Sequence, residues 1–598
     1  MSDTAEGPKS KLSTREVPGN VIIEYDVEIP MRDGVVLRGD VARPAEGKSP
    51  VIVIQSPYGK SEAVTVPVRN IAELARQGFA AAYIDTRGRF SSDGAEEFIP
   101  FARHENDGCD VVEWAARQPW SNGDVFGFGP SYHGFTQWMT ARERPSALKA
   151  FSPGSTPGAP TRSMFFWDGL FELGLVSGWW MMMGADVLAR RHADDPTALE
   201  EAMGRYSPAF LEMIAANYSQ LPLSVPFEKA NWGDRLIELV RNERGHGTPT
   251  LDALRTSQQF EDVTVPAFIW GGWYDLFSMG SIDQYVGMRT RAGSEAAREQ
   301  SRLVMGPWVH TIDQSNVVGE RDFGPVAAAM AFPPNGLNNE ILDFFRQTSA
   351  GAKPGKNRVK LFIMGANVWR DEEDWPIART KVVPMYLGNE GSANGVSGNG
   401  WLSADFRSSP PDSYVYDPAD PVPTFGGITM GLGLPGPRDQ RTVEQRSDVL
   451  VYTSEPLTAA MEVTGTAYVE LWVETDVVDT DFVAKLVDVA PDGTAYQVAE
   501  GGRRARWRDD PEMKTEGSPL PLGEPTLIRI DLSPTSNMFL PGHAIRIDIT
   551  SSNFPRWRRN LNIWEQVDAT LDDSKVANHQ VLHDAQHRSC VFLPVIPT

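Results

Sequence analysis

The sequence predicts an α/β protein with a second, all-β unit behind it. Three observations lead there. Short apolar runs at 51–55, 79–84, 125–128, 267–270 and 302–305 alternate with helical segments, the pattern of a parallel sheet with helices on both faces. Between the third and fourth runs, roughly 155–255 reads as helical and is dense in large apolar groups, among them Met164, Phe165, Phe166, Phe171 and Trp180. From about residue 356 the texture changes to short strand-like runs separated by Gly, Pro, Asn and Asp, which reads as a β-sandwich of jelly-roll type.

Taken in order, residues 1–20 are polar, lack the apolar stretch of a secretory signal, and read as disordered. Alternation over 21–30 makes a strand, Asp33-Gly34 a hairpin turn, and 35–42 its partner. The runs at 51–55 and 79–84 are apolar without alternation, which marks strands buried on both faces; 71–77 between them is helical. An amphipathic helix at 109–117, with Val111, Val112, Trp114 and Ala115 on its apolar side, leads into the strand at 125–128. In the last region strands fall at 360–364, 467–474, 482–489, 526–532 and 544–550, and the final one ends near Phe592. The expected division is a disordered 1–20, a core over 21–154 and 256–355, a helical cap over 155–255, and a jelly roll over 356–598.

At 598 residues the chain is too long for one core. A net charge of −23 argues against nucleic acid and anionic membrane as partners. The apolar segment GLVSGWWMMMGADVLA is too short to span a bilayer and is followed by charges. Two cysteines, Cys109 and Cys590, make no disulfide framework and suit a reducing, cytoplasmic compartment. Neither H-E-x-x-H nor paired-cysteine spacing occurs, so no metal and no cofactor are expected. A homo-oligomer is compatible with the sequence.

The chemistry centres on VFGFGPSYHGFTQWM, a strand, a tight turn at Gly129-Pro130-Ser131, and a helix from Tyr132. A serine on such a turn has its hydroxyl pushed out beside the unpaired N–H groups of a helix start, which suits attack on a carbonyl. Gly129 stands two before the serine, as in the general G-x-S-x-G elbow, but His133 holds the second glycine's position and the glycine itself is Gly134. That match alone is weak.

A serine nucleophile needs a base, and the base needs an orienting carboxylate. FIWGGWYDLF sets Asp275 just past a buried strand and a Gly-Gly turn, and VMGPWVHT sets His310 past the next strand. The order Ser131, Asp275, His310 is that of α/β-hydrolases. The other histidines precede or lie on helices, or fall in the helical insertion or the β region. For the oxyanion, one donor is the backbone N–H of Tyr132 and the other comes from SPYGK after the 51–55 strand, where Tyr58 offers a phenol.

These stretches together resemble the cocaine-esterase-like (CocE/NonD) hydrolases, relatives of the X-Pro dipeptidyl-peptidases and α-amino-acid ester hydrolases. The signatures are SPYGK, DTRGRF, the elbow with Tyr after the serine and Gly three after it, GGWYD, GPWVH, DTDFVAKLVDVAPDG and SNMFLPGHAIRIDITSSNFPR, in order along nearly the whole chain. The resemblance implies an α/β-hydrolase core, a helical cap and a C-terminal jelly roll. It implies Ser131 as nucleophile, His310 as base, Asp275 as orienter, and Tyr58 with the Tyr132 N–H as oxyanion hole. It also implies an acyl pocket with Trp179, accompanied by Trp167 and Phe277, while Asp85 and Arg87 brace the core.

The amino-acid ester hydrolases carry acidic residues directly after the catalytic aspartate to bind a substrate ammonium. Here Leu276, Phe277 and Ser278 follow Asp275, and an ammonium would be desolvated unpaired. The expected substrate is a small ester or amide with an apolar or aromatic acyl group, cleaved through an acyl-enzyme. Glu172 or Asp186 in the cap would be the alternative source of charge. Two other readings stand beside it: an X-Pro aminopeptidase or β-lactam acylase, and a non-catalytic binding protein on a hydrolase scaffold.

Overall fold

A computed structural model describes residues 13–597, except 62–69, 95–98, 103, 160, 163, 242–247, 311–313, 353–354 and 431–433. The strands of the first half are β1 (Ser13–Val17), β2 (Val21–Pro30), β3 (Val36–Pro44), β4 (Ser49–Ser56), β5 (Ala80–Asp85), β6 (Ser121–Pro130), β7 (Leu148–Gly154), a short pair β8 (Phe166–Trp167) and β9 (Leu170–Phe171), β10 (Phe268–Tyr274), β11 (Arg302–Val309), a second short pair β12 (Val317–Val318) and β13 (Arg321–Asp322), β14 (Val359–Ile363) and β15 (Val368–Glu372). Eleven of them make one sheet in the order β1-β2-β3-β5-β4-β6-β7-β10-β11-β14-β15. From β5 to β14 neighbouring strands run parallel, and antiparallel strands close each end.

The unalternating apolar runs follow from burial on both sides. In β4, Val51 and Val53 join one core cluster, with Val111, Trp138 and Tyr285 from the helices His104–Ala116, Tyr132–Arg142 and Ser278–Arg291. Ile52 and Ile54 join another, with Ile71, Leu74, Ile341 and Phe345 from Ile71–Arg76 and Leu337–Ser349. Such a sheet sends all its catalytic traffic to the ends of its strands, because its faces are covered.

Four sequence expectations need correction. Part of the stretch expected to be disordered is a strand: Ser13–Val17 pairs with Val21–Tyr25, a polar edge strand held by backbone bonds that leaves no apolar pattern to read. Residues 1–12 lie outside the described residues. Gly271 and Gly272 are not a turn but the middle of β10. A Cβ on Gly272 would sit 2.1 Å from the Trp308 carbonyl oxygen of β11, so glycine is there for close strand approach. Thirdly, 360–364, assigned to the second unit, is β14 of the first sheet, hydrogen-bonded parallel to β11; an apolar VKLFI run looks the same in either setting. Finally, most strands run longer than their apolar cores, as β6 does in starting at Ser121.

After β9 comes a helical insertion: Leu173–Arg191, Pro196–Ala215, Val225–Ala230, Asp234–Arg241 and Pro249–Thr256. Trp180, Met181 and Val187 of its first helix pack with Phe227, Leu236 and Leu251, and the cluster continues into Phe101, Tyr132 and Phe135 of the core. Behind it, a second sheet carries Met461–Thr475 between Thr526–Phe539 and Cys590–Ile596, and Asp481–Val489 between Ala495–Arg504 and Ala544–Thr550, all antiparallel. Its interior is Tyr452, Val469, Leu471, Phe482, Ile530 and Ile547.

Candidate active site

Four loops leave the same end of the sheet, after β4, β6, β10 and β11. The β6 loop carries Ser131 at φ 58°, ψ −130°, left-handed backbone that costs a non-glycine residue about 1–3 kcal/mol. The surroundings hold it there. Its N–H donates to the carbonyls of Gly154 (2.8 Å) and Ser155 (3.1 Å), and its carbonyl accepts the N–H groups of Gly134 (2.9 Å) and Phe135 (3.1 Å). Gly129 is required by the same turn: a Cβ there would stand 2.8 Å from the Cβ of His133. His133 is itself a brace. Its Nδ1 donates to the Pro130 carbonyl (2.9 Å) and its Nε2 meets the Tyr83 hydroxyl (2.9 Å).

Asp275 and His310 are the first residues after β10 and β11, so parallel pairing of those strands sets them side by side. His310 Nδ1 lies 3.1 and 3.0 Å from the two carboxylate oxygens of Asp275, and its Nε2 lies 3.2 Å from Ser131 Oγ. Asp275 is 1% exposed, and its Oδ1 also accepts the Phe277 N–H at 2.8 Å. A carboxylate on Nδ1 requires the proton there, which leaves Nε2 as an acceptor facing the serine hydroxyl.

Tyr58, two residues past β4, shares a cavity of about 470 Å³ with Ser131, Tyr132 and His310. The Trp179 indole N–H donates to its phenolic oxygen at 3.2 Å. Tyr132 is buried beside the serine, where its hydroxyl accepts the Phe101 N–H (2.8 Å) and meets His104 Nε2 (2.7 Å). Burial lowers the His104 pKa to about 4 and raises that of Tyr132, so both stay neutral near pH 7.

The cavity walls are apolar: Phe101, Met164, Leu175, Trp179, Leu276 and Phe277. Trp167 is not among them. It sits at the contact with the strand-rich half, in a cluster with Leu170, Met279, Val483 and Trp557, and the Arg556 guanidinium lies 5.2 Å from its ring. Within β8 the neighbours divide, Phe166 joining the cluster of the insertion and Trp167 the one with Val483 and Trp557, a division that composition does not reveal. Glu172 and Asp186 are likewise occupied. Glu172 accepts from Trp557 Nε1 (2.8 Å) and pairs with Arg556 (3.3 Å); Asp186 pairs with Arg89 (3.3 Å). Several lining residues escaped sequence reasoning, Arg89 and Met430 among them. Arg89 lies in DTRGRF, where sequence reasoning gives a role to Asp85 and Arg87 alone, and Met430 arrives from the strand-rich half as a lone methionine after a Gly-Gly pair.

Among the described residues, no helix is long and apolar enough to cross a membrane. A profile of the X-Pro dipeptidyl-peptidases (S15 family) matches residues 33–312, and one of the X-Pro dipeptidyl-peptidase C-terminal non-catalytic domain matches 352–591. The chain is 36% identical over 593 residues to a cocaine esterase of Rhodococcus sp. (strain MB1 Bresler), covering 97% of this chain and 100% of that one. In fold it is similar to an aminopeptidase from a marine sediment archaeon, Thaumarchaeota archaeon, with TM-score 0.75, 23% identity, and 100% and 99% of the two chains covered. An α-amino acid ester hydrolase gives TM-score 0.76 at 22% identity over all of both chains. Full-length identity to an esterase, with both profiles matched in order, means that the chain belongs to the cocaine-esterase-like (CocE/NonD) hydrolases of the S15 family.

Proposed function

We propose that this enzyme hydrolyses small carboxylic esters with an apolar or aromatic acyl group, through an acyl-enzyme on Ser131. The observation that carries the reading is the contact of His310 Nε2 with Ser131 Oγ at 3.2 Å, at the floor of an apolar cavity. Ser131 Oγ attacks the ester carbonyl carbon while His310 Nε2 takes its proton. Asp275 keeps the imidazole oriented and stabilises its charged form. The oxyanion receives the Tyr132 N–H and the Tyr58 hydroxyl. The intermediate collapses, His310 returns the proton to the leaving alcohol, and water then attacks the acyl carbon with His310 again as base, releasing the acid.

Apolar acyl preference is supported by the lining and by the absence, among its described residues, of a carboxylate aimed at an ammonium; Glu172 and Asp186 each answer an arginine. This separates the reading from an aminopeptidase or amino-acid ester hydrolase. In the same reading the insertion at 155–255 is a cap, the strand-rich half is a jelly roll, and the core extends past 355 to Glu372 because β14 and β15 pair with its sheet. Cytoplasmic location is supported by two buried free thiols, Cys109 pushed up to about 11 and Cys590 to about 12 by burial. Nucleic acid and membrane are not partners in this reading, and a homo-oligomer is compatible with it.

The test is release of acid from aryl esters against dipeptide p-nitroanilides, together with fluorophosphonate labelling. Labelling at Ser131 and a strong preference for neutral aryl esters support the reading. Full activity in Ser131→Ala, or a preference for free α-amino substrates, ends it.

A further inference from the structure

Arg89 stands out among the cavity residues. It lies on the loop after β5, its side chain is 2% exposed, and it is the sole Arg, Lys, Asp or Glu in the described lining of the cavity. Its Nε donates to the Pro57 carbonyl at 2.9 Å, immediately before Tyr58. Its Nη1 donates to the Met183 carbonyl on the first helix of the insertion at 3.1 Å and lies 3.3 Å from Asp186 Oδ2. One guanidinium therefore ties the Tyr58 loop to the helix that carries Trp179, whose indole in turn donates to Tyr58.

From this geometry we propose that Arg89 is a positioning residue of the oxyanion hole, holding Tyr58 in place and supplying positive charge behind its phenol. The inference rests on the assignment of Tyr58 above. When a phenol donates to a developing oxyanion, its own oxygen gains negative character. A buried cation nearby, acting through little water, stabilises that state more than the ground state. Burial lowers the Arg89 pKa, and the pull of Asp186, Tyr132 and Tyr58 opposes the shift, so both tyrosines lie within reach of its field. The rest of the loop is pinned independently: the Tyr58 N–H donates to Ser56 Oγ (3.1 Å) and the Lys60 N–H to Asp85 Oδ1 (2.6 Å). Loss of Arg89 thus leaves the loop attached and removes the charge and the Pro57 anchor.

The experiment is a double-mutant cycle between Arg89→Met and Tyr58→Phe, read as kcat and KM on p-nitrophenyl acetate. Arg89→Met is expected to lower kcat at least about tenfold with KM little changed, and to cost less than about threefold in the Tyr58→Phe background. Arg89→Lys keeps the charge and retains more kcat than Arg89→Met. Arg89→Met leaves Asp186 without its cation, so Arg89→Met/Asp186→Asn is the charge-balanced form and shows the same loss in kcat. The inference is overturned by full kcat in that balanced variant, by equal losses in both Tyr58 backgrounds, or by a loss carried in KM. Full activity of Tyr58→Phe alone would instead remove the oxyanion assignment beneath it.

Discussion

The ring of Phe277 stands perpendicular to the imidazole of His310, centroids 5.1 Å apart at 88°, while the Phe277 backbone N–H donates to Asp275 Oδ1. One residue thus braces His310 with its side chain and Asp275 with its main chain, and also lines the cavity at Ser131. Phe277→Ala keeps the N–H and removes the ring. On a benzoyl ester, kcat/KM is expected to fall roughly tenfold or more from lost aromatic burial, and kcat to fall with it as the imidazole loosens. A change confined to KM would mean that the ring contacts substrate only.

Removal of the nucleophile tests the proposed chemistry most directly. Ser131→Ala should lower kcat by about 10⁴-fold or more, and Asp275→Asn by about 10⁴-fold through the wrong imidazole tautomer. Thermal unfolding of Ser131→Ala should match or exceed that of the parent, since among the described residues the serine side chain is anchored to His310 alone. Residual aryl esterase activity near the parent level would reassign the nucleophile.

In the proposed mechanism Tyr58→Phe removes one oxyanion donor and nothing of the ring. Roughly 10²–10³-fold in kcat is expected, about 3 kcal/mol, with KM nearly unchanged. Steady-state kinetics on acetyl and benzoyl esters measures both. Equal loss in KM would place Tyr58 in ground-state binding.

Trp167 supplies a contrast. It packs against Leu170, Met279, Val483 and Trp557 away from the cavity. Trp167→Ala should destabilise the protein by about 3–5 kcal/mol, seen as a lower unfolding midpoint, while kcat/KM ratios between acyl groups stay the same. Altered acyl preference would return it to the pocket.

Acid sensitivity has an identifiable source. Burial lowers His104 and His579 from 6.5 to about 4. Both are neutral when folded, so below about pH 6.5 the unfolded chain binds protons first. Stability therefore falls from about pH 6.5 to about pH 4, by roughly 3 kcal/mol per histidine at most. His104→Gln, which can still meet the Tyr132 hydroxyl, should flatten part of that decline in urea unfolding between pH 7 and 4.5. An unchanged slope would show that His104 does not contribute.

Much of this was legible because burial writes itself into sequence. Runs such as Val51–Val53 with no polar break could only be interior strands, and Asp275 and His310 follow such runs directly. Side-chain direction was harder to read. Trp167 and Trp179 are equally apolar neighbours of the insertion, yet one faces the cavity and the other the strand-rich half. Long-range partners left no local trace either: Arg89 gave no hint of Pro57, nor Met430 of the serine. Glycines misled where closeness, not turning, required them, as at Gly272.

The membership of β14 and β15 in the catalytic sheet has a practical corollary. A fragment cut between the two matched profiles, ending anywhere from residue 313 to 351, would leave β11 as a raw edge with its ladder groups unpaired. A cut at Glu372 keeps that pairing, although like any cut ahead of residue 536 it forfeits the link by which Met364 exchanges backbone bonds with Ser536 and Met538 (2.9 and 2.8 Å). Anyone seeking a minimal esterase from this chain should expect the shorter truncation to precipitate, and should excise, if at all, no earlier than Glu372.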